Sequence, residues 1–324
     1  MTSGVFWQVL WTSITFSTFY VLFSAAFSLY LHVTKVWNFA QAGSIALAYV
    51  CLYVTHMVLG LPSPVAIGVT ICVVAAASCA IEWWGFRTFR RRGSHHLTYF
   101  IFSFMVAEFL IFAATFAIGT EPLSLVTVLF SPSSRVLGVM VTDWDVKAVA
   151  LTAVLLLVAW IVIARTRAGQ KLTAVADNAS LAEMFRIKPE RIYLFTTAVC
   201  SVLIVFGTWL YGTKAAMVPK TSLDLILVAV IATILGGVGS VTGACIAAVV
   251  FGILKGFSIF VVPSIWQNTL VYYLLFAVIV LVPRGFAQLD LRKAAQSVLR
   301  GRARDGDKGH RPVSSVPSQS EVQP

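Results

Sequence analysis

Long apolar stretches, separated by short polar or turn-forming breaks, run through the first 285 residues of the chain. A helix needs about 20 mostly apolar residues to cross the hydrocarbon core of a bilayer, and most of the stretches approach or reach that length. They predict an all-α fold, a polytopic transmembrane helical bundle of about nine spans (eight to ten), at residues 6–31, 40–59, 64–85, 97–119, 147–164, 192–211, 222–240, 244–262 and 267–282.

The region 222–283 departs from this regular spacing. It has to supply three of the predicted spans with almost no residues left for loops. Since a full crossing takes about 20 residues, the shortage predicts that one of these helices is broken or re-entrant.

Composition supports a membrane protein and excludes other classes. Hydrophobic residues make up 59% of the 324 positions and charged residues 11%, against about 25% charged in an ordinary globular domain. A soluble fold of this size could not cover so apolar a core with polar surface. We therefore set aside soluble enzymes and nucleic-acid-binding modules.

Charge is distributed unevenly between the predicted loops. Nineteen of the 24 lysines and arginines fall on one side of the predicted topology, whereas the opposite loops carry balanced charge. Basic loops stay on the cytoplasmic side of a membrane. The pattern predicts an external N-terminus and a cytoplasmic C-terminus, so that most of the net charge of +11 reflects topology and not an anionic partner.

Composition also divides the chain into two parts. Residues 1–285 form the predicted membrane domain, and residues 286–324 are polar and rich in Ser and Arg. Such a composition cannot bury enough apolar surface to fold. We expect a disordered cytoplasmic tail.

One cytoplasmic segment, residues 166–191, is too long for a tight turn. Ser180 followed by Glu183 fits a capping box, and we expect a short helix from about Leu181 to Ile187, stopped by Pro189. Leu181, Met184, Phe185 and Ile187 give this helix an apolar side. That side either binds a partner or packs back on the chain's own helices, and the helix pattern does not decide between the two.

Two glycine-containing segments interrupt the apolar pattern. The first, 36–44, contains Asn38, Gln41 and Gly43, and the second, 236–244, contains Gly239 and Ser240. Broken helices are a pointer to a transport path, although small residues also serve close helix packing, for example between Gly239 and Gly243. Neither segment has the spacing of a phosphate-binding loop.

Two ionisable residues lie well inside predicted spans, Glu108 and Lys255. Charges in hydrocarbon are costly and face protein or water. Glu108 is either a candidate for proton coupling or a hydrogen-bonded structural carboxylate. Glu108 and Lys255 could also pair with each other. The histidines and cysteines show no ligand spacing, so no metal site is expected.

The order of these features resembles the permease subunits of branched-chain amino-acid ABC importers of the LivH type. The segment 236–244, GGVGSVTGA, is similar to the family's G-G-x-G-S-x-x-G-A signature, and 38–43, NFAQAG, resembles its N-F-A-H-G segment with one residue more before the glycine. The loop 166–187 is similar to the family's ATPase-docking loop, and Pro283-Arg284-Gly285 to its closing P-x-G.

The resemblance implies a subunit without catalytic residues that works with a second homologous permease, two cytoplasmic ATPases that bind ATP and Mg²⁺, and an external solute-binding protein. It implies a location in the bacterial inner membrane and a translocation pathway at Asn38, Gln41, Gly43, Gly239 and Ser240, to which we add Glu108 as an ionisable residue within a span. It also implies ATPase coupling through Gly169, Asp177, Leu181, Met184, Phe185 and Ile187. Two alternatives remain: a stand-alone proton-coupled transporter using Glu108, and a ribose-type sugar ABC permease.

Overall fold

The computed structural model describes residues 3–125, 133–136 and 139–260, together with the single residues 266, 269 and 273. In the first half of the chain the helices are α1 (Ser3–Thr34), α2 (Ala40–Tyr53) with a π-helical turn (Val54–Val58), α3 (Ser63–Ile81) with a π-helical turn (Glu82–Phe86), α4 (Arg87–Arg91) and α5 (His96–Ile118).

The second half begins with a two-stranded antiparallel hairpin, β1 (Ser133–Val136) and β2 (Val139–Thr142). The helices that follow are α6 (Asp143–Arg165), α7 (Arg167–Asp177), α8 (Ala179–Met184), α9 (Pro189–Lys214), α10 (Thr221–Gly236) and α11 (Val241–Phe257), and a 3₁₀ turn covers Ser258–Phe260.

The helical prediction is confirmed in outline. In the described part of the chain, six helices are long and apolar enough to cross a membrane, and the count is seven if the bent pair α10–α11 is one span. The axes of that pair turn by 118°, as the shortage of residues in 222–283 suggested. The ninth predicted span (267–282) and the tail (286–324) lie outside the described residues, apart from two single positions, so a count of nine is not confirmed.

Helix α1 occupies the centre of the bundle. Its side chains are buried almost continuously from Phe19 to Val33, as expected of a helix that is apolar all round. Helix α11 lies alongside it, with Gly252 against Ser17 and Gly256 against Ser13. Small residues allow the two backbones to approach closely, the usual packing of helices in lipid.

The turn between α10 and α11 explains the glycine-rich segment 236–244. Gly237 and Gly239 have φ angles of +93° and +97°, which strain residues with a side chain. A side chain at Gly236 would meet the backbone of Gly243. The close contact in this segment is therefore between Gly236 and Gly243, and not between Gly239 and Gly243 as we expected. Ser240 caps α11 by accepting a hydrogen bond from the Gly243 N–H at 3.1 Å.

The sequence pattern predicted only helices and therefore missed the β1–β2 hairpin, which lies in the external loop of the predicted topology. Gln8 at the start of α1 holds it through two hydrogen bonds, accepting from the Met140 N–H at 2.7 Å and donating to the Met140 carbonyl at 3.2 Å. A two-residue connection between short strands leaves a weak sequence signal, which the long apolar stretches on either side obscured.

Candidate functional site

A small cavity of about 20 Å³ lies where α1, α2, α3 and α9 meet. About 10 to 15 Å³ of such space is enough to hold one water molecule. The cavity is lined by Tyr30, Asn38, Ala40, Gln41, Ser44, Ser78, Ile81, Glu82, Phe86, Thr197, Cys200, Ser201 and Ile204. Two of the predicted pathway residues, Asn38 and Gln41, are therefore brought together here.

The two amides differ in their hydrogen bonding. Asn38 Oδ1 accepts from the Ala40 N–H at 3.0 Å, which fixes the chain as it enters α2. Gln41 is 4% exposed, and neither its Oε1 nor its Nε2 finds a hydrogen-bond partner among the described residues. A buried polar group left unpaired costs about 1–3 kcal/mol, so the Gln41 amide is an unsatisfied polar group among the residues that line the cavity.

Glu82 is the charged group of this cavity, and the sequence analysis missed it. Its carboxylate is 2% exposed, accepts from Tyr30 Oη at 2.7 Å and is paired with Arg90. The Arg90 guanidinium lies over the Tyr193 ring, 4.3 Å from its centroid. An acid within the predicted span 64–85 was an available signal, and it was overlooked because it lies near the end of that span.

A π-helical turn positions this carboxylate. Glu82 and Phe86 bound the turn, and both line the cavity. A π-helical turn widens the helix locally and is frequent at functional sites. The sequence pattern did not predict it, because one extra residue per turn hardly changes a stretch that is apolar on every face.

Gly43 lies outside the cavity lining. An added side chain there would meet Leu110 Cβ at 2.8 Å and the backbone Cα of Ala107 at 3.2 Å. Gly43 therefore allows α2 and α5 to pack closely, and its role is in packing.

Gly239 and Ser240 also lie outside the cavity, although they lie near the same end of α1 as the cavity does. A side chain at Gly239 would come within 3.6 Å of His32 Nδ1, two residues before α1 ends at Thr34. The structure thus brings both glycine-containing segments to the same end of the bundle without joining them in one site.

Glu108 and Lys255 occupy separate places. Glu108 is exposed on α5, in a groove that it lines together with Lys220 and Leu223. Lys255 Nζ donates to Tyr20 Oη at 3.0 Å, between α11 and α1. The suggested pairing of Glu108 with Lys255 is wrong.

The segment 166–191 contains two helices instead of the single one expected. Thr166 caps α7 by accepting from the Gly169 N–H at 3.1 Å, and Asn178 caps α8 by accepting from the Leu181 N–H at 3.0 Å. Helix α8 therefore begins before Ser180 and ends at Met184, so both the expected cap at Ser180 and the bounds 181–187 are wrong. The first helix, α7, was missed.

The predicted apolar side of this segment is largely exposed. Leu181, Met184 and Phe185 are 51%, 80% and 74% exposed, whereas Ala182 is buried and Ile187 is half-buried against the core. Three of the four apolar residues are thus available to a partner, and Ile187 anchors the segment to the bundle.

Gly169 and Asp177 play other parts in this segment. A side chain at Gly169 would meet the carbonyls of Val162 and Ile163, so this glycine permits the tight reversal from α6 into α7. Asp177 is exposed at the last position of α7.

Ion pairs tie the basic residues after α3 to the start of α9. Arg87 and Arg91 contact Glu190 at 2.8 and 3.1 Å. Part of the positive charge that we assigned to topology therefore also joins two neighbouring helices.

Comparisons with known proteins agree with this arrangement. A family model described as "Branched-chain amino acid transport system / permease component" matches residues 9–283. The permease protein BraD of Pseudomonas aeruginosa is 23% identical over 86% of this chain and 94% of its own length. LivH of Escherichia coli is 22% identical over 47% of this chain and 48% of its own length.

A further relative and a solved structure are similar to the chain. The probable LivH of Methanocaldococcus jannaschii is 26% identical over 43% of this chain and 46% of its own. PsaBC from Streptococcus pneumoniae, solved with a Fab, has a TM-score of 0.48 and 13% identity over 89% of this chain and 94% of that chain. By the family match, the chain belongs to the permease components of branched-chain amino acid transport systems, the membrane subunits of ABC importers whose ATP is hydrolysed by partner subunits.

Proposed function

We propose that this chain translocates a small polar solute, a branched-chain amino acid or a related compound, and is driven by ATPases that dock on α8. The observation that carries the docking is the exposed apolar face of Leu181, Met184 and Phe185, on a helix that lies outside the spans. Large exposed apolar side chains grouped on one face are typical of interaction sites.

The connection from α8 to the cavity supports a mechanical role. Helix α8 ends at Met184 and α9 begins at Pro189. Thr197 and Ser201, which line the cavity, lie about 12 and 18 Å along α9 from its start, at 1.5 Å per residue. ATP binding would close the ATPases and push α8, and the push would reach one wall of the cavity through α9.

The proposed pathway passes Asn38 and Gln41, while Gly43, Gly239 and Ser240 maintain the packing and the turn that shape it. The proposed partners are a second homologous permease, two ATPases that bind ATP and Mg²⁺, and an external solute-binding protein. The proposed location is a bacterial inner membrane with the N-terminus outside and the C-terminus in the cytoplasm, on the strength of the distribution of basic residues.

The two alternatives are less well supported. A proton-coupled transporter would use Glu108, which is exposed on α5 and is not one of the residues that line the cavity. A ribose-type permease differs in its solute, and the family match favours an amino acid.

Co-purification of the complex tests the docking. We expect Met184→Glu and Phe185→Glu to abolish both capture of the ATPases and ATP-driven uptake, because each places a charge in an apolar contact. Glu183→Gln is the matched control: it also changes one charge on α8, at a position roughly 100° or more around the helix from the three apolar residues. Unchanged assembly and uptake in both variants would refute the docking.

A further inference from the structure

Two hydroxyl groups of the cavity lining already donate hydrogen bonds to backbone carbonyls. Thr197 Oγ1 donates to the Tyr193 carbonyl at 2.9 Å, and Ser201 Oγ donates to the Thr197 carbonyl at 2.9 Å. A hydroxyl has one donor and two acceptor lone pairs. Towards the cavity, these two side chains therefore offer acceptors only.

The opposite wall is also rich in acceptors. Ser44 and Ser78 share one hydrogen bond at 3.0 Å, and Ser44 Oγ lies 3.4 Å from the Ala40 carbonyl, to which it can donate. Glu82 accepts one hydrogen bond on each oxygen, which uses about two of the four lone-pair sites of a carboxylate. Arg90, which balances this charge, is not among the lining residues.

Gln41 adds a polar group without a partner. Both of its amide atoms are buried and lack a hydrogen-bond partner among the described residues, and Gln41 is one of the residues that line the cavity. The volume of about 20 Å³ accepts a group of the size of one water molecule. The group that fits best is small, has several donors and carries a positive charge.

We propose that this cavity binds the ammonium group of a zwitterionic solute, with Gln41 Oε1, Glu82 and the hydroxyls of Ser44, Ser78, Thr197 and Ser201 as acceptors. An alkylammonium group has three donors and no acceptor, which matches these walls. A carboxylate could accept only from the amide N–H groups of Asn38 and Gln41, and it would face the hydroxyl acceptors and the charge of Glu82. The proposal rests on the proposed function and adds that the permease itself recognises the amino group.

Binding to the intact complex tests the proposal. The permease pair with its ATPases, in lipid nanodiscs without the solute-binding protein, is examined by saturation-transfer NMR with L-leucine, 3-methylbutylamine and 4-methylpentanoate. The amine lacks the carboxylate of leucine and the acid lacks its ammonium group. We expect leucine and the amine to bind and compete with each other, and the acid not to bind.

Two variants and a control locate the binding. Gln41→Leu should weaken amine binding roughly tenfold or more, as the loss of a hydrogen bond to a charged group implies, and the nearly isosteric Thr197→Val should weaken it severalfold. Ser28→Ala removes a buried hydroxyl that lies outside the cavity lining and should leave binding unchanged.

Three results would overturn the proposal: equal binding of the acid, unchanged amine binding in both cavity variants, or displacement of the amine by KCl but not by choline chloride, which would indicate a simple cation site.

ATP-driven leucine uptake by the same complex with its binding protein separates the ammonium site from the proposed transport function. Uptake without amine binding contradicts the ammonium site alone, and amine binding without uptake contradicts the transport function alone.

Discussion

The ion pair between the buried Glu82 and the half-buried Arg90 gives the sharpest stability prediction. Glu82 is 2% exposed and accepts from both Arg90 and Tyr30. Arg90→Met keeps an unbranched side chain of similar length and leaves the Glu82 charge buried without its counterion. Breaking a buried ion pair on one side costs about 3–5 kcal/mol. At about 2 °C per kcal/mol for a chain of this length, the unfolding midpoint should fall by about 6–10 °C.

The assay is thermal unfolding of the detergent-purified protein, followed by intrinsic tryptophan fluorescence. The double variant Glu82→Gln, Arg90→Met should recover most of the loss, because the uncompensated charge is gone while Tyr30 keeps a hydrogen-bond partner. Arg92→Met, at an exposed position, is the matched control and should change stability by less than about 0.5 kcal/mol. The reasoning fails if Arg90→Met behaves like Arg92→Met, or if the double variant is as unstable as Arg90→Met.

Two further variants test local packing and capping. Asn178→Ala should raise hydrogen exchange in α8 about fivefold, because a lost N-cap costs about 1 kcal/mol, whereas an equal effect of Ser180→Ala would contradict the cap seen here. Gly43→Ala should destabilise the fold by about 1–3 kcal/mol in thermal unfolding, because the added methyl group meets Leu110. Gly68→Ala, where no atom lies within 4 Å of an added methyl group, should not destabilise it, and a similar loss there would argue against the packing role of Gly43.

Local signals in the sequence account for much of the coupling segment. The presence of structure in 166–191 was predicted correctly. Leu181, Met184 and Phe185 were identified as an apolar side, but the sequence did not decide whether that side is exposed. The cap was assigned to Ser180 instead of Asn178, because both residues are good N-caps and only the path of the chain leaving α7 decides between them. Ile187 was grouped with these three residues on one apolar side, since a short pattern does not show that Ile187 packs against the core while the others are exposed.

The candidate site was predicted less completely. Asn38 and Gln41 were found because amides are unusual beside an apolar stretch, whereas Gly43 and Gly239 were assigned to the pathway although they serve packing and a turn. Glu82 was missed together with its partners Tyr30 and Arg90, which lie 52 residues before it and 8 residues after it. Nothing in the local sequence connects the three.

The sequence by itself determined that the chain is a bundle of membrane-crossing helices. Lipid leaves backbone groups no partner outside the helix, so the length and polarity of each stretch decide which residues are helical. The tertiary structure alone decided which helix faces meet. Helices that are apolar on all sides give no sign of their contact face, and both the cavity around Gln41 and the pairing of Glu82 arise only where α1, α2, α3 and α9 come together.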